Sequence, residues 1–190
     1  LGMSGVSLNK APEKYAEPGA KHGMKVRVMP IKPCEWTYEA LGYIATPIPY
    51  AEAYSAIQTG IADGQMGGPP FQAWQFKDVN KTWIQYNDYF ESWWFNINMD
   101  LWNKISPEDQ AVMLKAAVEE SMIQWERADM VDQEYRQKLV DEYGWEIVIL
   151  TQEQLDAIAG YVRKEVWPKM EEIVGKELMD RIYAESGISR

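Results

Sequence analysis

From Leu114 an apolar or aromatic residue recurs every three or four positions, through Val118, Met122, Trp125, Ala128, Val131, Tyr135 and Leu139 to Tyr143. That period is helical, and no glycine or proline interrupts it. Ser106-Pro107-Glu108-Asp109 supplies the start, with a capping hydroxyl, a proline at the first helical position and acids in the first turn. Gly144 supplies the stop. A helix from Pro107 to Tyr143 is roughly 50 Å long at 1.5 Å per residue, longer than a small lobe. The expectation is a helix that bridges two bodies.

Ahead of it, short β-prone runs alternate with stretches of helical period from Gly2 to about Met66, the pattern of crossover units around a mostly parallel sheet. The fold class is therefore α/β, with helices flanking the sheet. Leu1 to Leu8 reads as part of a strand. Lys25 to Met29 is the clearest one, with Met24, Val26 and Val28 on one face and Lys25, Arg27 and Met29 on the other. Trp36 to Leu41 reads as a helix, Ile44 to Thr46 as a strand, Tyr50 to Thr59 as a helix closed by Gly60, and Ile61 to Met66 as a strand. Met66-Gly67-Gly68-Pro69-Pro70 can only be a tight loop. The alternation in Trp93 to Met99 predicts another strand. Beyond Gly144, Glu146 to Leu150 reads as a strand and Thr151 with Gln154 as a capping box opening a helix. Pro168 should break or kink that helix, and Gly175 should separate off a last one.

Composition removes whole classes of function. The 190 residues carry a formal net charge of -10, so the attraction to phosphate backbones that nucleic acid requires is absent. With His22 and Cys34 as the sole residues of their kinds, no zinc set and no intrachain disulfide can form. His22 lies in a polar turn and is read as solvated, and Cys34 as buried or half-buried. No apolar run approaches the ~20 residues that span a bilayer. No signal-type apolar core follows Leu1, the pattern of a mature or truncated chain.

Arg27 is the residue that chemistry singles out, a permanent cation in an otherwise apolar strand. A buried guanidinium needs an anion, its planar donors match a carboxylate, and ligands of open α/β sheets collect beyond the carboxyl ends of the strands. It can equally pair with an internal acid, Glu52 or Asp63, or reach solvent. Tyr50, just after Pro47-Ile48-Pro49, should face the same edge. Asp63-Gly64-Gln65 followed by Gly67-Gly68 could hold a ligand through the Gln65 amide and backbone N-H groups, or be a plain reversal. The nine tryptophans and eleven tyrosines are mostly core, with Trp74 and Trp94 as candidate stacking surfaces. Glu119-Glu120 and Glu171-Glu172 read as solvated helix faces.

Taken together, Gly23-Met24-Lys25-Val26-Arg27-Val28, Ala40-Leu41-Gly42, Thr46-Pro47-Ile48-Pro49-Tyr50 and the stretch from Glu52 to Gln65 resemble one family. This is the DctP-type solute-binding subunit of tripartite ATP-independent periplasmic (TRAP) transporters. The match runs in order without a gap, and the Ser106 helix start agrees with it. The resemblance implies a periplasmic receptor of the periplasmic binding protein type, with two α/β lobes closing on a small organic acid that is passed to membrane permease subunits. It implies that Arg27 forms a two-pronged salt bridge to the ligand carboxylate and that Tyr50 packs on the ligand. No cofactor, metal or nucleic acid belongs to such a receptor. The family's Glu-Asn-Pro after Asp-Gly-Gln is Met66-Gly67-Gly68 here, so the asparagine that contacts ligand is replaced by Gly67. Most of a first lobe, which precedes this region in the family, is expected to be missing. The organisation expected is a ligand-binding lobe over 1–92, a hinge strand and the first half of the long helix over 93–130, and the return of that helix with the C-terminal elements over 131–190. An uncovered cleft face should then favour a homo-oligomer or a helix-swapped dimer. Two other readings stand beside the receptor. An enzyme using Asp63 with Arg27 lacks a second acid or base and a nucleophile, and a shortened sensor or structural domain would keep the fold without transport.

Overall fold

A computed structural model describes residues 2–189. The chain opens with two short strands, β1 (Gly2–Met3) and β2 (Val6–Leu8), in place of one continuous strand. Then come β3 (Lys25–Val28), α1 (Lys32–Ala40), β4 (Ile44–Pro47), α2 (Tyr50–Gln58), β5 (Gly64–Met66), α3 (Pro70–Trp74), β6 (Thr82–Gln85) and β7 (Phe90–Glu91). The second half is α4 (Met99–Trp102), α5 (Pro107–Tyr143), β8 (Glu146–Ile149), α6 (Gln152–Val174) and α7 (Lys176–Ser186). No helix among the described residues is long and apolar enough to cross a membrane.

Six strands form one sheet in the order β4-β3-β5-β2-β6-β8. β4, β3 and β5 are mutually parallel and β6 is parallel to β8, while β2 runs against both of its neighbours. Five strands thus share one direction, as the alternating pattern predicts. The crossovers place helices on both faces. On one face Val6, Leu8, Val26, Val28 and Ile84 pack with Tyr38, Leu41 and Ile158, under α1 and α6. On the other, Ala53 and Ile57 of α2 pack with Phe76, and Ala73 of α3 packs with Trp83, Leu139 of α5 and Trp145. Arg27 stands on this second face because it alternates with Val26 and Val28.

Three expectations are corrected, and Pro168 does not end its helix. The strand predicted over Trp93 to Met99 is not formed. Pairing ends at β7, and Trp93, Trp94 and Phe95 extend into solvent because no neighbouring strand offers them a ladder. α1 begins at Lys32 rather than Trp36, since Pro33 occupies its first turn, where a missing N-H costs nothing. α6 runs through Pro168 to Val174. His22 is half-buried rather than solvated, its ring 4.6 Å from that of Tyr43, and desolvation lowers its pKa.

The long helix matches its sequence signals at both ends. Ser106 Oγ accepts from the Asp109 N-H at 3.1 Å, and Gly144 adopts the left-handed conformation, φ 64°, that closes the last turn. Its C-terminal third docks on the sheet through Leu139, whereas Val112, Leu114, Val118 and Met122 remain exposed.

Candidate functional site

β3 and β5 are parallel neighbours, so their carboxyl ends lie side by side at one edge of the sheet. Arg27 sits on the face where Thr46, Gln65, Ser7 and Trp83 line up with it in register across the strands. Its side chain is 3% exposed, yet among the described residues no carboxylate lies within 4.0 Å of it. Arg27 Nε donates to the Ile48 carbonyl at 2.7 Å, and the guanidinium carbon lies 5.5 Å from the centre of the Tyr50 ring. Burial lowers the Arg27 pKa, while the polar groups of Tyr50, Cys34 and Tyr89 oppose that shift. Burying a permanent cation with a single carbonyl partner leaves its other donors without a protein acceptor among the described residues.

The acids that could have neutralised it are engaged elsewhere or point away. Asp63 Oδ2 accepts from the Lys25 N-H at 2.7 Å, tying β3 to the entrance of β5. Glu52 is exposed in the first turn of α2. Pro47 and Pro49 hold the chain extended ahead of Tyr50, which begins α2.

Gln65 lies beside Arg27 in register but is fully buried, and its amide has no hydrogen-bond partner among the described residues. Gly67 and Gly68 have φ of 96° and 79°, and a Cβ on Gly67 would fall 2.6 Å from the Tyr89 hydroxyl. Their N-H groups, expected to be open to a ligand, are both used: Gly67 donates to the Gly5 carbonyl at 2.9 Å and Gly68 to Tyr89 Oη at 3.0 Å. What Gly67 offers is close approach of the backbone.

Tyr50 is half exposed at the mouth. The structure does not bring Trp74 and Trp94 to it. Trp74 stacks edge-on with Tyr135 and Tyr143 and carries Lys77 over its ring, and Trp94 projects into solvent from the segment after β7.

Three contributors were not read from the sequence. The Ile48 carbonyl and Tyr89 come from chain segments whose local pattern carries no mark of a site. The third is Asp88, whose Oδ1 accepts from Ser4 Oγ at 2.6 Å, while Ser4 Oγ in turn accepts from the Tyr89 N-H at 2.9 Å. Burial pushes the Asp88 carboxyl up to about 6, and the same effect lifts the Cys34 thiol to about 11 and the Tyr89 phenol to about 12. The Cys34 thiol is therefore not a nucleophile at neutral pH.

Residues 3–172 match the model of the family described as DctP, bacterial extracellular solute-binding protein, family 7. The chain is 24% identical over 184 residues to the C4-dicarboxylate-binding periplasmic protein DctP of Shewanella loihica, covering 95% of this chain and 54% of that protein. Among solved structures, the periplasmic ectoine-binding protein of the TeaABC TRAP transporter of Halomonas elongata superposes with a TM-score of 0.78 at 26% identity, over 96% of this chain and 59% of that one. A TRAP periplasmic solute-binding protein of Haemophilus influenzae with bound L-gulonate superposes with a TM-score of 0.79 at 24% identity, over 96% and 60%. The chain spans about half the length of the curated relatives it matches.

Proposed function

Because the chain belongs to the DctP family of bacterial extracellular solute-binding proteins, we propose that it captures a small organic acid on Arg27 and passes it to the permease of a TRAP transporter in the periplasm. The observation that carries this reading is the buried guanidinium with one carbonyl partner and no carboxylate within 4.0 Å among the described residues. A ligand carboxylate would take the remaining donors in two-pronged geometry, with the Tyr50 ring against its carbon skeleton and Gly67 allowing backbone approach. Relatives named for C4-dicarboxylate and for L-gulonate support an organic anion as the ligand class. The matching family and structures are solute-binding proteins, not enzymes.

The division at residues 92 and 130 belongs to the same proposal: the sheet of 1–92 holds the ligand, 93–130 leads to a second lobe, and 131–190 returns. The exposed face of α5 over 107–125 then belongs against other protein, and in this chain alone two copies would cover it for each other. A second reading keeps the fold without transport, as a sensor or structural domain.

Tryptophan fluorescence against a panel of mono- and dicarboxylates tests the proposal. A saturable response abolished by Arg27→Ala is expected, together with a co-purified acid in native mass spectrometry. A flat response to every acid, in a protein that melts cooperatively, would favour the second reading.

A further inference from the structure

A cleft of about 710 Å³ opens between α3, the segment after β7 and the middle of α5. Its charged lining is one-sided: Glu91, Glu120, Asp132 and Glu134 face a single cation, Arg127. Its remaining surface is largely aromatic, from Trp93, Phe95, Trp125 and Tyr135, with Phe71 edge-on to Tyr135 at 5.1 Å.

Asp132 is the informative residue. It is nine-tenths buried, it lines the cleft, and among the described residues it has neither a hydrogen bond nor an ion pair. Arg136, one turn further on, attracts it through space but forms no ion pair with it within 4.0 Å. That guanidinium donates to Gln85 Oε1 at 2.8 Å and lies 5.3 Å from the centre of the Trp83 ring. Glu91, on the opposite wall, accepts from Gln72 Nε2 at 3.3 Å and from the Trp93 side chain. Covering this cleft with apolar surface would strip water from two carboxylates, a cost that a bound cation would offset.

The lining also selects the kind of cation. A hard metal ion requires several oxygen ligands at short range, and among the described residues no group of three His, Cys, Asp or Glu side chains is placed to hold one. A soft, weakly hydrated ammonium gains instead from ring faces and needs only a counter-charge. We propose that this cleft binds an organic ammonium ion, with Asp132 and Glu91 as counter-charges and Trp93, Phe95 and Trp125 as its aromatic walls. Burial is the largest cause of the raised pKa of both carboxyls, that of Asp132 to about 6.

Choline chloride titrated into the 190-residue chain at pH 7.5, with sodium chloride at equal ionic strength as reference, tests this by tryptophan fluorescence and calorimetry. A saturable response to choline beyond that to sodium is expected. Asp132→Asn, nearly isosteric, should weaken it tenfold or more, and Glu91→Gln and Trp125→Leu severalfold each. Arg27→Ala should leave it unchanged, so this site and the carboxylate site can fail separately. A choline response equal to that of sodium, or one that survives Asp132→Asn undiminished in a variant that melts cooperatively, would overturn the proposal. Should Asp132→Asn fail to fold, an undiminished response in Glu91→Gln would do so.

Discussion

The two ends of α5 are made of the same pattern and meet opposite fates. Toward the C-terminus Leu139 is fully buried, Tyr135 and Tyr143 take the edges of Phe71 and Trp74, and Trp145 folds back beneath the helix to donate from its backbone to the Leu139 carbonyl. Toward the N-terminus Val112, Leu114, Val118 and Met122 face solvent, and the helix is held by its Ser106 cap, its first-turn acids and pairs such as Lys115–Glu119. An apolar stripe records that a helix was shaped to be covered without recording what covers it. Most helical stability comes from such tertiary packing, so the two ends should respond very differently to the same chemistry.

Leu139→Ala should have the largest effect, a loss of about 2–5 kcal/mol measured by denaturant unfolding, because it empties a buried site. Comparable losses from Leu114→Ala would break the comparison, since they would mean that the N-terminal end is packed too.

The next effect lies where the sheet meets the segment leading to α5. Asp88 carries a pKa of about 6 in the fold against an ordinary value of about 3.9, so the native state holds the proton more tightly than the unfolded chain. Stability contributed by this group is then present at low pH and is lost as the pH rises through about 4 to about 6. Asp88→Asn should remove up to about 3 kcal/mol of that pH dependence and raise the melting temperature at pH 7.5. A melting curve for Asp88→Asn that tracks the parent at every pH would contradict this. Asp132, at the seam between the two ends of α5, shares the direction.

Ser106→Ala should cost about 1 kcal/mol of local stability, read as faster amide hydrogen exchange in the first turns of α5 with little change beyond Val131. Leu114→Ala itself should fall within about 0.5 kcal/mol of the parent, as exposed positions do. If two copies cover the bare end for each other, light scattering should show a dimer that Val118→Asp with Met122→Asp dissolves.

The sequence was legible where a local rule decides the outcome. Ser106 and Gly144 set the limits of α5 because caps act within one turn, and Thr151 with Gln154 opens α6 in the same way. It misled where the outcome depends on a distant partner. Trp93 to Asn98 alternates like a strand, but alternation yields a strand only where another offers its hydrogen bonds, and pairing stops at Glu91. The site divides along the same line. Arg27 was visible as a cation between Val26 and Val28, and Tyr50 as the residue after a proline-stiffened turn. The Ile48 carbonyl that orients Arg27, and the Tyr89 hydroxyl that occupies the Gly68 N-H, are brought in by tertiary packing that no local motif encodes.

The central claim is that the Arg27 guanidinium is held ready for an anion from outside the chain. Calorimetric titration of succinate into the parent protein, Arg27→Lys and Arg27→Ala tests it most directly. Charge-assisted bonds of about 1.5–3 kcal/mol each predict at least a tenfold loss in Arg27→Lys, where the two-pronged geometry is gone, and no measurable binding in Arg27→Ala. Succinate bound with equal affinity by all three would contradict the account.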